Sequence, residues 1–167
     1  MADVTAIRNA IAAAITRGTG LRADGQAKDQ VVPPVAVVLP ANPFINYGAT
    51  MDDALNLSFV VLLIISDAAP VEKTQRALDT YLGVGGGQAA SVADAIESDY
   101  NLAGTAHFVS VDSAGAYGRV DYANQTYFGA RLSLTVGAKL CHWWHEDTTA
   151  AGPLRTRRAW SAMAIRS

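Results

Sequence analysis

The chain has few of the side chains that usually build covalent cross-links or metal centres. Cys141 is its only cysteine, which excludes an internal disulfide and a four-cysteine zinc site. Its imidazoles are those of His107, His142 and His145. A lone cysteine also fits a reducing compartment. We therefore expect neither a disulfide framework nor a structural zinc centre.

The chain also lacks a strong charge of one sign and a long apolar run. Its net charge is −2, so no basic field indicates nucleic acid as the main partner. The apolar run 59–65 is far shorter than the ~20 residues that a membrane helix needs. Asp3 and Arg8 interrupt the pattern of a signal peptide. We expect a protein that is soluble and cytoplasmic when it is synthesised.

What the chain does have is enough apolar residues for a core, together with an uneven distribution of charge. Half of its 167 residues are hydrophobic, which is typical of one globular domain. Residues 1–140 contain nine Lys or Arg and thirteen Asp or Glu, whereas residues 141–167 contain four and two. The sequence therefore predicts one α/β domain over 1–140 and a C-terminal extension over 141–167, to which we assign no fold.

The strongest structural pattern lies in residues 55–66. Apolar and polar residues alternate up to Phe59, and from Val60 onward both alternating sets are apolar. Because a strand sends successive side chains to opposite faces, this run predicts a strand that ends buried on both faces. The chain's own helices can cover one face. We expect the other face, with Val60, Leu62 and Ile64, to be covered by a second layer or by another copy of the protein.

Periodicity and turn residues place the remaining elements. The predicted elements are a helix over 5–15, a strand over 35–39, a break over 40–43, a loop over 44–48, a helix over 71–82, a short helix after Ser91, and strands over 105–112, 117–122 and 126–140 with turns at 113–115 and 124–125. Strands and helices do not alternate regularly, which argues against a doubly wound parallel sheet. We predict an α+β fold, a single domain with a mostly antiparallel or mixed sheet flanked by short helices.

No motif of a known catalytic or cofactor site is complete. The glycines of 83–87 follow a helix and lack the Gly-Lys-Ser/Thr of a phosphate-binding loop, so they predict a helix end and a linker. His142 and His145 are three residues apart, but their order with Glu146 matches neither zinc motif built on paired histidines. We therefore predict no catalytic residue, no cofactor and no metal. The alternative is a small metal-dependent enzyme built on Cys141, His142 and His145.

The C-terminal extension mixes tryptophans with arginines. Such side chains can stack on nucleic-acid bases, and they are also enriched at protein–protein interfaces. Because residues 1–140 are acidic, we favour a contact with the body of the protein or with a neighbouring subunit over nucleic acid. The residues concerned are Trp143, Trp144, Trp160, Arg155, Arg157 and Arg158.

The order of the predicted helices, strands and loops resembles that of one protein family. An amphipathic helix (5–15) leads into a proline-flanked strand (33–40), an aromatic loop (44–47) and a strongly apolar strand. A helix reading Gln-Arg-Ala-Leu-Asp-Thr-Tyr-Leu (75–82), the run Ser-Val-Ala-Asp-Ala-Ile (91–96) and a Tyr-Gly-containing β-hairpin (117–129) follow. This layout, over about residues 3–140, resembles the tail terminator proteins of long-tailed bacteriophages, also described as tail-completion or gpU-like proteins. Residues 141–167 depart from the pattern.

The resemblance implies a ring, usually a hexamer, that caps the finished tail tube, ends its polymerisation and joins the tail to the head. It implies a helix-on-sheet domain without catalytic residues. The implied partners are further copies of the chain, the major tail tube protein and head-side connector proteins. They include no membrane and no sequence-specific nucleic acid, although DNA can pass through the ring. The implied location is the head–tail junction of the virion, and the host cytoplasm during assembly. The alternative within the same class is a head–tail connector or stopper protein.

These roles select a set of expected interface residues. A closed ring needs two different patches that fit each other, and the strands over 55–66 and 126–140 are the candidates. Docking to a tube needs loops, for which we select 44–47 and the region around Gly115. The predicted interface residues are Phe44, Ile45, Tyr47, Tyr117, Tyr122, Arg131, Trp143, Trp144, Arg155, Arg157 and Arg158.

Overall fold

A computed structural model describes residues 3–47, 54–67, 72–84 and 91–139. The elements are α1 (Val4–Thr19), β1 (Ala23–Asp24), β2 (Val35–Asn46), β3 (Ala54–Ser66), α2 (Glu72–Leu82), α3 (Val92–Glu97), a short 3₁₀ turn (Leu102–Gly104), β4 (Phe108–Tyr122) and β5 (Gln125–Lys139). The predicted extension 141–167 lies outside the described residues.

The described strands form one five-stranded sheet in the order β1-β2-β3-β5-β4. β1 pairs with β2 in parallel, and the other three pairings are antiparallel. The sheet is therefore mixed but mostly antiparallel, and the helices flank it within a single domain. This confirms the predicted fold class.

Local capping interactions set the helix ends. The Asp3 side chain accepts hydrogen bonds from the first turn of α1, and Gly20 ends that helix in the left-handed conformation at φ 70°. Ser91 and Asp94 form a complete capping box at α3. Gly83 follows α2 with φ 78°. Each cap satisfies backbone groups that a helix end would otherwise leave unpaired.

The main core lies between the helices and one face of the sheet, called here the first face. All three described helices contribute to it, and β3 and β5 supply most of its strand residues. Full burial of each such side chain stabilises the fold by about 1.5–3 kcal/mol. Its largest members include Ile7, Ile11, Ile15, Leu57, Phe59, Leu63, Leu78, Ile96, Leu132 and Leu134.

β2 is longer than predicted. The break expected over 40–43 and the first part of the loop expected over 44–48 are wrong, because β2 continues to Asn46. Tyr47 follows the strand, and Gly48 lies outside the described residues. Ile45 pairs with Leu57 of β3, after a register shift between Pro40 and Ile45. The prolines interrupt the ladder without ending the strand.

β4 is one strand where two were predicted. The turn expected at 113–115 is wrong, because Ser113 and Gly115 pair with Ser133 and Arg131 of β5. Register shifts on either side of this stretch are β-bulges, which bend a strand without reversing it. The hairpin between β4 and β5 turns at residues 123–124, one residue before the turn predicted at 124–125.

Candidate functional site

The second face of the sheet, opposite the helices, has two chemically different parts. At one part, which we call the covered end, the apolar residues form a second buried cluster: Val35, Val37, Leu62, Ile64, Val120, Tyr122 and Tyr127. At the other part, which we call the open half, the side chains are polar and no described helix covers them: Ser58, Ser110, Arg131, Ser133 and Thr135.

At the covered end, the second face is covered by a second layer from the chain itself, which was one of the two covers expected from the sequence, and not by another copy of the protein. Leu62 and Ile64 are 2% and 0% exposed within the single chain. Val60, the third residue of that set, is partly exposed and packs at the edge of the cluster. The chain therefore supplies most of the missing layer itself.

Part of that layer comes from residues 25–32 of the connection between β1 and β2, which we call the strap. Val31 packs against the apolar cluster. The Lys28 amide donates to Tyr122 Oη at 2.7 Å, and the Tyr122 hydroxyl donates to the Lys28 carbonyl at 2.8 Å. Lys28 Nζ also lies 2.6 Å from Asp24 Oδ1. Tyr122 thus fastens the middle of the strap to the end of β4.

The open half is an array of small polar side chains. Ser58, Thr135 and Ser110 lie side by side on β3, β5 and β4. Thr135 Oγ1 donates to Asp112 Oδ2 at 2.7 Å. Arg131 is exposed and lies opposite Leu62, at the boundary with the covered end. This surface offers hydroxyl groups for hydrogen bonds and includes the charged side chains of Asp112 and Arg131.

Both edges of the sheet carry features that oppose the addition of another strand. β1 covers the start of β2, and beyond it β2 contains Pro40 and Pro43, which have no amide proton to donate. On β4 the Val109 amide donates to the Tyr100 carbonyl at 2.9 Å, and the Val111 amide donates to Glu97 at 3.0 Å. The bulges of β4 distort the rest of that edge.

The predicted aromatic loop 44–47 is mostly strand, and its residues differ in availability. Phe44 packs edge-on against Phe59, with ring centroids 5.3 Å apart, and Ile45 is half-buried against the main core. Tyr47 follows the strand and is 72% exposed. Of this group, Tyr47 has the side chain free to contact a partner.

Tyr117 lies on the helix side of the molecule and contacts two elements. Its ring packs edge-on against Phe128, and its hydroxyl donates to Asp79 Oδ1 of α2 at 2.9 Å. That hydrogen bond holds the phenol in its protonated form and raises the pKa of Tyr117 above 10.0. About half of the side chain remains exposed.

Tyr122 was predicted at an interface, but within the chain it is only 9% exposed. Its hydroxyl is used by Lys28, which the sequence did not single out. The contact joins residues 94 positions apart, and it uses the Lys28 backbone rather than its side chain. No residue type at position 28 could therefore have predicted it.

The described ranges contain no group of three or more His, Cys, Asp or Glu residues placed to hold a metal ion. His107 borders a shallow depression of about 300 Å³ with Tyr100, Asn101 and Thr105, and its amide donates to the Gly137 carbonyl. Several residues selected from the sequence lie outside the described residues: Cys141, His142, Trp143, Trp144, His145, Arg155, Arg157, Arg158 and Trp160.

No protein-family model matches the sequence, and no curated protein matches it. Among the described helices, none is long and apolar enough to cross a membrane.

Proposed function

We propose that the protein is a structural ring subunit of a phage virion that caps the tail tube, ends its polymerisation and joins the tail to the head. The proposal begins from the resemblance of residues 3–140 to tail terminator proteins. The observation that carries it furthest is the open half, a sheet face that the described part of the chain leaves uncovered by any helix.

A ring needs two unlike surfaces on each subunit, because a heterologous contact joins one patch to a different one. The open half offers a polar patch around Ser133 and Thr135. The helix side offers a contrasting patch, where Tyr117 and α2 meet. These surfaces lie on opposite sides of the sheet, which supports a head-to-tail arrangement of copies.

The blocked edges favour contacts through faces over continuation of the sheet from one copy to the next. Pro40 and Pro43 oppose strand addition at one edge, and Glu97 occupies an outward amide at the other. We therefore expect side-chain packing to dominate the contact between neighbouring copies.

The test is to measure the mass of the purified full chain by light scattering and to add it to purified tail tubes lacking heads. We expect a closed ring on the tube end, visible by electron microscopy, and tubes that no longer lengthen. A protein that stays monomeric at high concentration and ignores tube ends would overturn the proposal. Binding to head-side complexes but not to tubes would favour the connector role instead.

A charge placed on the open half tests whether that surface is used. Ser133→Arg should reduce ring formation on tubes at least tenfold, because it buries an unpaired charge in the contact. The matched control is Ala13→Arg, which adds the same charge to an exposed position of α1. Equal loss in both variants would reject the open half as the contact surface.

A further inference from the structure

The shallow depression that His107 borders lies next to the end of β5, and we call it the His107 depression. The His107 amide donates to the Gly137 carbonyl of β5 at 2.7 Å. The volume of about 300 Å³ is at the lower end of the ~300–1,000 Å³ that small-molecule sites occupy. A space of this size suits one or two large side chains. The residues that line it are Tyr100, Asn101, Gly104, Thr105, Ala106 and His107.

The rim of the His107 depression exposes aromatic side chains to water. The Tyr100 side chain is 64% exposed, which places it among the exposed large hydrophobic residues of the described chain. His107 is exposed, and the partly exposed ring of Phe108 lies over Gly137, 2.2 Å from where a Cβ would stand. Aromatic rings pair favourably edge-to-face or in offset stacks. This rim is therefore suited to receive a further aromatic side chain.

The chain that continues from β5 carries aromatic side chains within reach of this place. Trp143 and Trp144 follow Gly137 by six and seven residues. Seven residues span at most about 25 Å even when fully extended. A group tethered so closely has an effective concentration of millimolar order, far above that of an ordinary separate partner. The tryptophan pair is therefore the occupant that the covalent structure favours.

The charges near the depression favour the same occupant. Glu97 and Asp99 precede Tyr100 in the chain, and among the described residues the one cation within ion-pair distance of them is Arg17, at 3.2 Å from Asp99. Residues 141–167 contain four arginines and two acidic residues, whereas residues 1–140 have a net negative charge. Opposite charges guide the two parts of the chain towards each other.

We propose that the C-terminal extension docks on its own domain, with the Trp143–Trp144 pair in the His107 depression. The inference goes beyond the proposed function, because it gives a binding site to the segment that the resemblance to tail terminator proteins does not cover. It requires no association between copies of the chain.

The test uses the position of the tryptophans in the chain. All three of them, Trp143, Trp144 and Trp160, belong to the extension. Tryptophan fluorescence therefore reports on the extension without a signal from the domain. In the full chain with Trp160→Phe, the pair is the sole source. We expect acrylamide to quench the folded protein about threefold less efficiently than the urea-unfolded chain, because docking shields the indoles. Equal quenching in the two states would overturn the proposal.

A charge placed in the depression tests whether it is the docking site. The Asn101 side chain is exposed and makes no capping hydrogen bond, while its backbone carbonyl accepts from Gly104 and Ala106. Asn101→Arg therefore keeps the local hydrogen bonds, fills the depression and repels the arginines of the extension. The matched control is Gln26→Arg, an exposed amide changed in the same way beside β1, at the opposite edge of the sheet from β4.

Both variants are made in the Trp160→Phe background, and circular dichroism checks their folding. Quenching should rise to the unfolded level in Asn101→Arg alone. Protection that survives Asn101→Arg would place the tryptophans elsewhere and overturn the proposal, and so would an equal loss of protection in the control.

The NMR signals of the His107 ring test the contact from the side of the domain, with residue 101 unchanged. Trp143→Ser combined with Trp144→Ser should move these signals, because a neighbouring indole changes the local magnetic field, whereas Trp160→Phe should leave them in place. His107 signals that do not move in the double variant would overturn the proposal.

Dilution separates docking within one chain from docking between copies. Contact within one chain does not depend on protein concentration, whereas contact between copies follows mass action. Protection of the pair that disappears on dilution would assign the segment to a neighbouring copy and overturn the proposal. None of these measurements uses tail tubes, so their result stands apart from the test of the proposed function.

Discussion

The covered end and the open half belong to the same face of the same sheet, yet they differ in how their side chains are kept compatible with water. At the covered end the chain brings the strap and the ring of Tyr122 over apolar residues. In the open half the side chains are serines, threonine and arginine, which tolerate water. The comparison shows that an apolar strand face requires a cover, whereas its sequence does not say which part of the chain provides it.

The largest expected difference between the two regions is in stability. Leu62→Ala should lower the free energy of unfolding by about 3 kcal/mol, because the side chain is buried and its removal leaves a cavity. Ser133→Ala, on the adjacent strand in the open half, should change it by less than about 0.5 kcal/mol. Urea unfolding followed by circular dichroism measures both. Similar values for the two variants would mean that the covered end is not a true core.

The second difference concerns the space available for a Cβ atom where neighbouring strands lie close together. A Cβ at Gly129 would overlap the Leu63 carbonyl oxygen of β3, so Gly129→Ala should cost about 2 kcal/mol by forcing the two strands apart. Gly115→Ala, farther along the β4–β5 ladder, meets no atom within 4 Å and should be nearly neutral. Thermal unfolding of the two variants measures this difference in stability. A Gly129→Ala protein as stable as the parent would show that β3 and β5 can move apart at this position without loss of stability.

The smallest expected effect is on the titration of Tyr117, whose hydroxyl donates to Asp79 and which, unlike the buried Tyr122, is exposed. Because the pKa of Tyr117 is raised in the folded state, its contribution to stability is complete below pH 10 and is lost as the pH rises through the folded value. Asp79→Asn should return the Tyr117 titration, followed by NMR, towards its ordinary range. A titration that does not move would show that the Asp79 hydrogen bond is absent in solution.

The features that the sequence predicted depend on neighbours close along the chain. The caps at Asp3 and Ser91 each involve residues within three positions. The alternation of β3 and β5 reflects a two-residue period that any half-buried strand imposes. These patterns were enough to predict a mostly antiparallel sheet with helices on one face.

The features that the sequence did not predict depend on contacts between residues far apart in the chain, or on residue types that suit two different local structures. The strap is positioned by Tyr122 acting on the backbone of Lys28, which leaves no trace in residue type. Residues 113–115 have the composition of a turn, but small residues also suit bulges, where Ala116 adopts φ 49°. Of the open half, only Arg131 was selected from the sequence, and the serines and threonine beside it were not. Their grouping on one face became evident only from the strand register.

The blocked edges also affect the protein before any assembly takes place. A sheet with prolines along one rim and a carboxylate on an amide of the other does not template the growth of further strands. Among the described residues, both rims of the sheet therefore oppose the edge-to-edge pairing from which fibrous aggregates grow.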